Sequence, residues 1–133
     1  MIYFIGAGPG AADLITVKGK ELLEKADLII YAGSLVNPEL LNYAKPECII
    51  MDSAKMTLEE VIAAMVPAAQ AGKLVVRLHT GDPSVYGAHR EQIDLLRSYN
   101  LDFEIVPGVS SFCAAAACLD CLLYTSDAAD DTP

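Results

Sequence analysis

Five short apolar runs, separated by segments of helical periodicity, predict an α/β fold: a five-stranded, mainly parallel sheet with helices on both faces. The runs are continuously apolar rather than alternating, as strands buried on both faces require. Three of them end directly in short turns of small residues: Gly6-Ala7-Gly8-Pro9-Gly10, Thr80-Gly81-Asp82-Pro83-Ser84-Val85-Tyr86-Gly87, and Pro107-Gly108-Val109-Ser110-Ser111. In open α/β sheets the ligand crevice forms outside the carboxyl ends of the strands. Three glycine-bearing turns there describe a small-molecule site built largely of backbone.

The first strand is expected over residues 2–5, Ile2-Tyr3-Phe4-Ile5. Residues 16–26 read as a helix, with Leu22, Leu23 and Ala26 at helical spacing. Residues 28–31 form the second strand. Asn37 followed by Pro38 is a good helix start, because Asn accepts from first-turn amides and Pro presets the first helical φ; a short helix is expected over residues 38–43. The third strand covers residues 47–51. Thr57-Leu58-Glu59-Glu60 is a capping box, in which hydroxyl and carboxylate satisfy first-turn amides reciprocally. The helix it opens carries Val61, Ile62, Met65 and Val66 on one face. Pro67 lacks an amide donor and is expected to kink it, and Gly72 is placed to cap its end. The fourth strand, residues 73–78, is the most β-rich. A helix over residues 88–99 takes Ile93, Leu95 and Leu96 as apolar positions. Residues 102–106 form the fifth strand and residues 110–119 an Ala-rich helix.

A chain of 133 residues, 53% hydrophobic and 20% charged, has a globular composition with room for one domain. No apolar run approaches the length of a bilayer-spanning helix. The N-terminus reads as a buried strand without the basic lead of a signal peptide, so the cytoplasm is the expected compartment and no membrane partner is expected. The net charge of −9 argues against nucleic acid, whose phosphates need clustered Lys and Arg. It leaves room for an anionic small ligand held by a local Arg or His. Part of the acidity is local: Asp120, Asp127, Asp130 and Asp131 close the chain, leaving about −5 on residues 1–119. Cys48, Cys113, Cys118 and Cys121 show no disulfide framework. The CxxC of Cys118 and Cys121 lacks the second pair a zinc site wants, so these thiols read as buried or incidental and no metal site is expected.

The first turn satisfies a GxGxx(G/A) dinucleotide fingerprint through Gly6, Gly8 and Ala11. That motif needs a helix beginning at the glycines and an acid after the second strand to hold the ribose. Here the helix is delayed towards Thr16, Asp27 precedes the second strand, and Tyr31-Ala32-Gly33-Ser34 follows it without an acid. NAD or FAD is therefore disfavoured. A tight turn that simply needs glycine remains an alternative.

The three turns in this order, with Tyr31-Ala32-Gly33-Ser34-Leu35-Val36 and His79-Thr80-Gly81-Asp82-Pro83-Ser84-Val85-Tyr86-Gly87-Ala88, resemble the tetrapyrrole methylase family of corrin and sirohaem synthesis. The resemblance runs from Met1 to about Ala117. It implies S-adenosylmethionine as cofactor, a tetrapyrrole (precorrin) substrate and a homodimer in the full-length enzyme. Finer likeness within the family points to methylation of carbon C11, with uroporphyrinogen III or another precorrin as acceptor, or an inactive fragment of such an enzyme, as the alternatives. It also implies that residues 1–119 are the N-terminal donor- and tetrapyrrole-binding domain of an enzyme about twice as long. Residues 120–133 depart from the family pattern and read as a non-native or disordered tail.

By that resemblance Pro9 lines the donor pocket, while Thr80, Gly81, Asp82, Val85, Ser110 and Ser111 contact the donor. Each has a structural alternative. Asp82 is equally suited to cap the turn after it, and Ser110 and Ser111 are good N-caps for the Ala-rich helix. His79 precedes the central loop and His89 follows it, and a lone His is more often structural; His89 and Arg90 could instead meet the carboxylates of an acidic substrate. Tyr31, Ser34 and Tyr86 read as cleft walls or as packing. Arg77, within a strand pattern, is either paired or at an edge. Lys18, Lys20 and Lys25 read as a solvated helix face. No catalytic base is assigned.

Overall fold

The computed structural model describes residues 1–84, 89–120, 122 and 123. Along the chain run β1 (Ile2–Gly6), α1 (Val17–Lys25), β2 (Leu28–Tyr31), β3 (Ile49–Asp52), α2 (Leu58–Gln70), β4 (Val75–His79), α3 (Arg90–Ser98), β5 (Phe103–Val106) and α4 (Ser111–Cys118). Pro38–Tyr43 is a 3-10 helix capped by Asn37, whose side chain accepts from the Glu39 amide. The strands form one five-stranded parallel sheet in the order β3-β2-β4-β1-β5.

Strand periodicity divides the core in two. Ile2, Phe4, Leu28, Ile30 and Val75 pack with Val61, Ile62, Met65 and Val66 of α2 and Leu96 of α3. Ile5, Ile29, Val76, Leu78 and Val106 pack on the other face, with Leu23 of α1, Ala26 and Leu40. Full burial of one such side chain is worth about 1.5–3 kcal/mol. The capping box closes as the sequence implies: Thr57 Oγ1 accepts from Glu60 N and Glu60 Oε1 accepts from Thr57 N, each at 3.2 Å. Pro67 lies inside α2, which continues to Gln70. Pro67 and Ala63, the residue whose carbonyl loses its partner, are both exposed, where solvent satisfies that carbonyl.

Asp27 ties the amino ends of the strands together. Its carboxylate accepts from Lys45 Nζ at 2.7 Å and from the Leu74 amide at 2.9 Å. The Lys45 ammonium, and then the Leu74 amide, hold that carboxyl below its ordinary range. The same bond explains why β4 begins two residues later than expected. The Leu74 amide is diverted to Asp27, so the ladder starts at Val75. Likewise the Cys48 amide donates to Lys45 O in a turn, which delays β3 to Ile49. One expectation fails at β3: its apolar run reads as buried, yet it is the sheet edge, with Ile49 and Ile50 exposed. Lys18 and Lys20 are more engaged than a solvated face implies. Lys18 pairs with Glu104 at 2.6 Å, and Lys20 lies over the Tyr43 ring.

The connection after β1 runs through α1 to β2, beyond β4 in the sheet. The connection after β4 runs through α3 to β5, beyond β1. Helices α1 and α3 lie on opposite faces. The neighbours β1 and β4 therefore send their chains in opposite directions, and a crevice opens between their carboxyl ends at this topological switch point.

Candidate functional site

Three loops meet at the switch point, and they meet through backbone. The Ala7 amide donates to His79 O at 2.6 Å, Gly8 N to Gly81 O at 3.3 Å and Gly81 N to Gly8 O at 2.8 Å. This antiparallel bridge joins the loop after β1 to the loop after β4. Its two glycines have φ of +83° and +65°, a region that L side chains rarely adopt. A methyl group at Gly6 would lie 2.5 Å from Gly81 O and 2.6 Å from Gly108 Cα. One at Gly108 would strike the same Gly81 oxygen. Gly6, Gly81 and Gly108 are thus pressed together. At Gly6 the other two loops fill the space that a side chain would take. At Gly10 nothing lies within 4 Å of a would-be Cβ, and its carbonyl accepts from Asn37 Nδ2 at 2.7 Å.

Around this junction stand Pro9, Thr80, Asp82 and Ser110, all half-buried, and Ser111, exposed. Asp82 Oδ1 accepts from the Ser84 amide at 2.8 Å, so the capping role read for it is present. Ser110 differs. It occupies the N-cap position of α4 with extended backbone, yet its hydroxyl makes no cap bond. Its Cα lies 3.9 Å from where a Gly81 side chain would begin, which puts that hydroxyl beside the bridge. Val85, Tyr86, Gly87 and Ala88 lie outside the described residues, as do Cys121 and residues 124–133 of the tail. The first turn is followed by a 3-10 segment, Ala12–Leu14, and α1 begins only at Val17, with Thr16 as its cap. A pyrophosphate on a helix N-terminus, as dinucleotide binding needs, has no counterpart here.

Two histidines bracket the central loop. His79 Nδ1 donates to Thr80 O at 2.8 Å, and the rings of His79 and His89 meet edge to face at 4.5 Å. His89 is only 3% exposed and packs on Phe4 at 5.1 Å. Neither of its ring nitrogens has a hydrogen-bond partner among the described residues. Burial, then the nearby His79 and Arg77, push its pKa down to about 3, so the ring is neutral at physiological pH. Its burial and ring contacts accord with the structural alternative to a substrate contact. Arg90 is exposed and pairs with Asp94 at 3.5 Å.

Arg77 is the residue that sequence reasoning undervalued. It is 6% exposed on an inner strand and pairs with no carboxylate among the described residues. It lines a cleft of about 450 Å³ together with Ser53, Met56, Arg90, Glu91 and Gln92. An Arg inside a run of Val and Leu was the available signal, since an unpaired charge in a core strand is costly without a use.

Comparison with known proteins agrees with this geometry. The model of the tetrapyrrole (corrin/porphyrin) methylases matches residues 1–132. A cobalt-precorrin-4 C(11)-methyltransferase of Methanocaldococcus jannaschii is 60% identical over 118 residues, which are 89% of this chain and 46% of that protein. The crystal structure of a cobalamin biosynthetic cobalt precorrin-4 methyltransferase superposes with a TM-score of 0.89 at 50% identity, covering 95% of this chain and 53% of that one. A uroporphyrin-III C-methyltransferase from Thermus thermophilus, complexed with S-adenosyl homocysteine, gives a TM-score of 0.72 at 34% identity, covering 86% of this chain and 47% of its own. The chain spans about half the length of the relatives it matches. Among the described residues no helix is long and apolar enough to cross a membrane. The five-stranded parallel sheet, the glycine junction at its switch point and the family match together place the chain among the tetrapyrrole (corrin/porphyrin) methylases.

Proposed function

We propose that this chain is the donor-binding half, residues 1–119, of an S-adenosylmethionine-dependent C-methyltransferase of corrin biosynthesis. Its acceptor is carbon C11 of precorrin-4 or cobalt-precorrin-4. The observation that carries the reading is the junction of three strand-end loops at the β1–β4 switch point, with the Ser110 hydroxyl beside it and unused as a cap. The choice of acceptor follows the relatives: those named for the C11 reaction are 60% to 47% identical, against 43% for a uroporphyrinogen-III C-methyltransferase of Bacillus subtilis.

The residues present fit a donor with an amino-acid tail and a nucleoside. The junction offers backbone amides and carbonyls, while Thr80 and Ser110 offer half-buried hydroxyls. Bound S-adenosylmethionine supplies a methyl group already activated on a sulfonium. The protein's part is to bind and align. Pro9, Thr80, Gly81, Asp82, Val85, Ser110 and Ser111 hold the donor, and the bridged backbone beneath them keeps that geometry fixed. Alignment of two bound reactants is worth roughly 7–11 kcal/mol in favourable cases. The edge-to-face contact between His79 and the buried His89 supports the root of the loop. Arg90 and Tyr86 are assigned to the acceptor, and the whole enzyme works as a homodimer.

Titration with S-adenosylhomocysteine by calorimetry tests the donor site. The chain should bind it, and an Asp82→Ala, Ser110→Ala double variant of equal folded content should lose most of the affinity. A well-folded chain that gives no heat overturns the reading.

A further inference from the structure

We propose that Gln92 is a positioning residue that holds the Arg77 guanidinium in the cleft as an uncompensated positive charge, there to receive one carboxylate of an acidic tetrapyrrole. The inference rests on the tetrapyrrole reading above and names the residue that sets the sign of the acceptor site.

Arg77 has two described partners, and both are neutral. Nε donates to Gln92 Oε1 at 3.2 Å and Nη1 to the Ile30 carbonyl at 3.2 Å. These two bonds fix the plane of the guanidinium and leave donors of its five-donor fork unspent. A cation this buried is ordinarily matched by an acid, because desolvation is otherwise uncompensated. The other charged groups lining the cleft do not match it. Glu91 is exposed and makes no ion pair with Arg77, and Arg90 is engaged by Asp94. Burial lowers the Arg77 pKa only to about 10, so the charge persists at neutral pH. Glutamate is the isostere of glutamine. At position 92 it would keep the Nε contact and cancel the charge. Glutamine keeps the contact and preserves the charge. A guanidinium fork binds a carboxylate bidentately, and the cleft, about 450 Å³, opens at the same end of the sheet as the donor loops.

The probe is uroporphyrin III, a fluorescent polycarboxylate tetrapyrrole, titrated into the chain and into Gln92→Glu, Gln92→Met and Arg77→Met, with S-adenosylhomocysteine calorimetry run alongside. Gln92→Glu and Arg77→Met should weaken uroporphyrin binding at least roughly ten-fold, and Gln92→Met only about two- to three-fold. S-adenosylhomocysteine affinity should stay within about two-fold throughout. A merely structural Gln92 gives the reverse order, since Glu retains the shape and the Nε bond and Met does not. The proposal is overturned if Gln92→Glu binds uroporphyrin as the parent does, or if Gln92→Met is the weaker of the two. A parent that binds S-adenosylhomocysteine but no uroporphyrin also overturns it while sparing the donor site. A parent that binds neither removes the underlying reading as well.

Discussion

Gly6→Ala adds one methyl group where three loops touch. The new carbon would sit 2.5 Å from Gly81 O, 2.6 Å from Gly108 Cα and 2.7 Å from Gly108 N. Ordinary contacts of this kind begin near 3.4 Å, so the neighbours must withdraw by most of an ångström. All three atoms are backbone, and none can escape by changing rotamer. All three belong to the loops that carry Thr80, Asp82 and Ser110, so relief of the clash moves the proposed donor site. Overpacking of this sort costs about 1–3 kcal/mol, and a purely backbone clash belongs at the upper end. For a chain of this size that is a fall in Tm of roughly 8–15 °C. A displacement of about 1 Å in a positioning site can cost on the order of a hundred-fold in rate, and a ten-fold or greater loss of S-adenosylhomocysteine affinity is expected here. Gly72→Ala is the control. Gly72 also has a left-handed φ, +80°, but nothing lies within 4 Å of its would-be Cβ, and it stands at the opposite end of the sheet. It should cost about 1–2 kcal/mol and leave donor binding untouched. Thermal melts followed by circular dichroism, with calorimetry on each folded variant, decide the matter. A Gly6→Ala chain that melts within about 2 °C of the parent and binds normally would refute the reasoning.

Ser110→Ala should barely alter stability, because that hydroxyl caps nothing, yet weaken S-adenosylhomocysteine several-fold. Thr57→Ala should do the opposite, losing about 1 kcal/mol with the capping box and leaving affinity intact; paired melts and titrations separate the two. His89 is a base whose folded pKa, about 3, lies below its ordinary 6.5. The unfolded chain therefore binds the extra proton, so stability is complete above about pH 6.5 and falls as pH drops towards 3, by up to about 1.4 kcal/mol per pH unit. Urea midpoints between pH 6.5 and 5 should show this slope in the parent and a flatter one in His89→Phe. Asp27, held below its ordinary range by Lys45 and the Leu74 amide, contributes stability that is present above that range and lost as pH falls through the folded pKa. Asp27→Asn should flatten this acid limb and speed hydrogen exchange at the Leu74 amide, and unchanged exchange there would count against the clamp.

The elements were legible because hydrophobic burial writes them locally. Ile29 and Ile30 alternate faces within one strand, and Thr57 and Glu60 announce a helix start without reference to the rest of the chain. Strand ends were not legible, because side chains from distant segments decide them. No local pattern says that Asp27 will capture the Leu74 amide across 47 residues. The edge position of β3 was hidden for a related reason: Ile49 and Ile50 look the same in an inner strand as at an edge, and only topology separates the cases. At the site, the glycines were found with both readings of their work open. Sequence tells that Gly6 and Gly108 need the room a Cβ would take. It does not tell whether a ligand or another loop claims it.

The proposed assignments divide the labour along β4. Arg77 and Thr80 lie three residues apart on and just after this inner strand, about 10 Å along its axis. Thr80 stands at the glycine junction, the proposed donor site, which is made of backbone and tolerates almost no change in shape. Arg77 belongs to the cleft, which is made of side chains contributed by β4, α2 and α3. A strand paired on both sides cannot stretch, so the separation between donor and acceptor charge is set by register rather than by loops. On the proposed assignments, substitutions at Gln92 or Arg90 should alter which acidic ring is held without disturbing the donor. A change of register in β4 would have no such freedom, because it would rotate Arg77 to the opposite face and break the Gly8–Gly81 bridge in the same step.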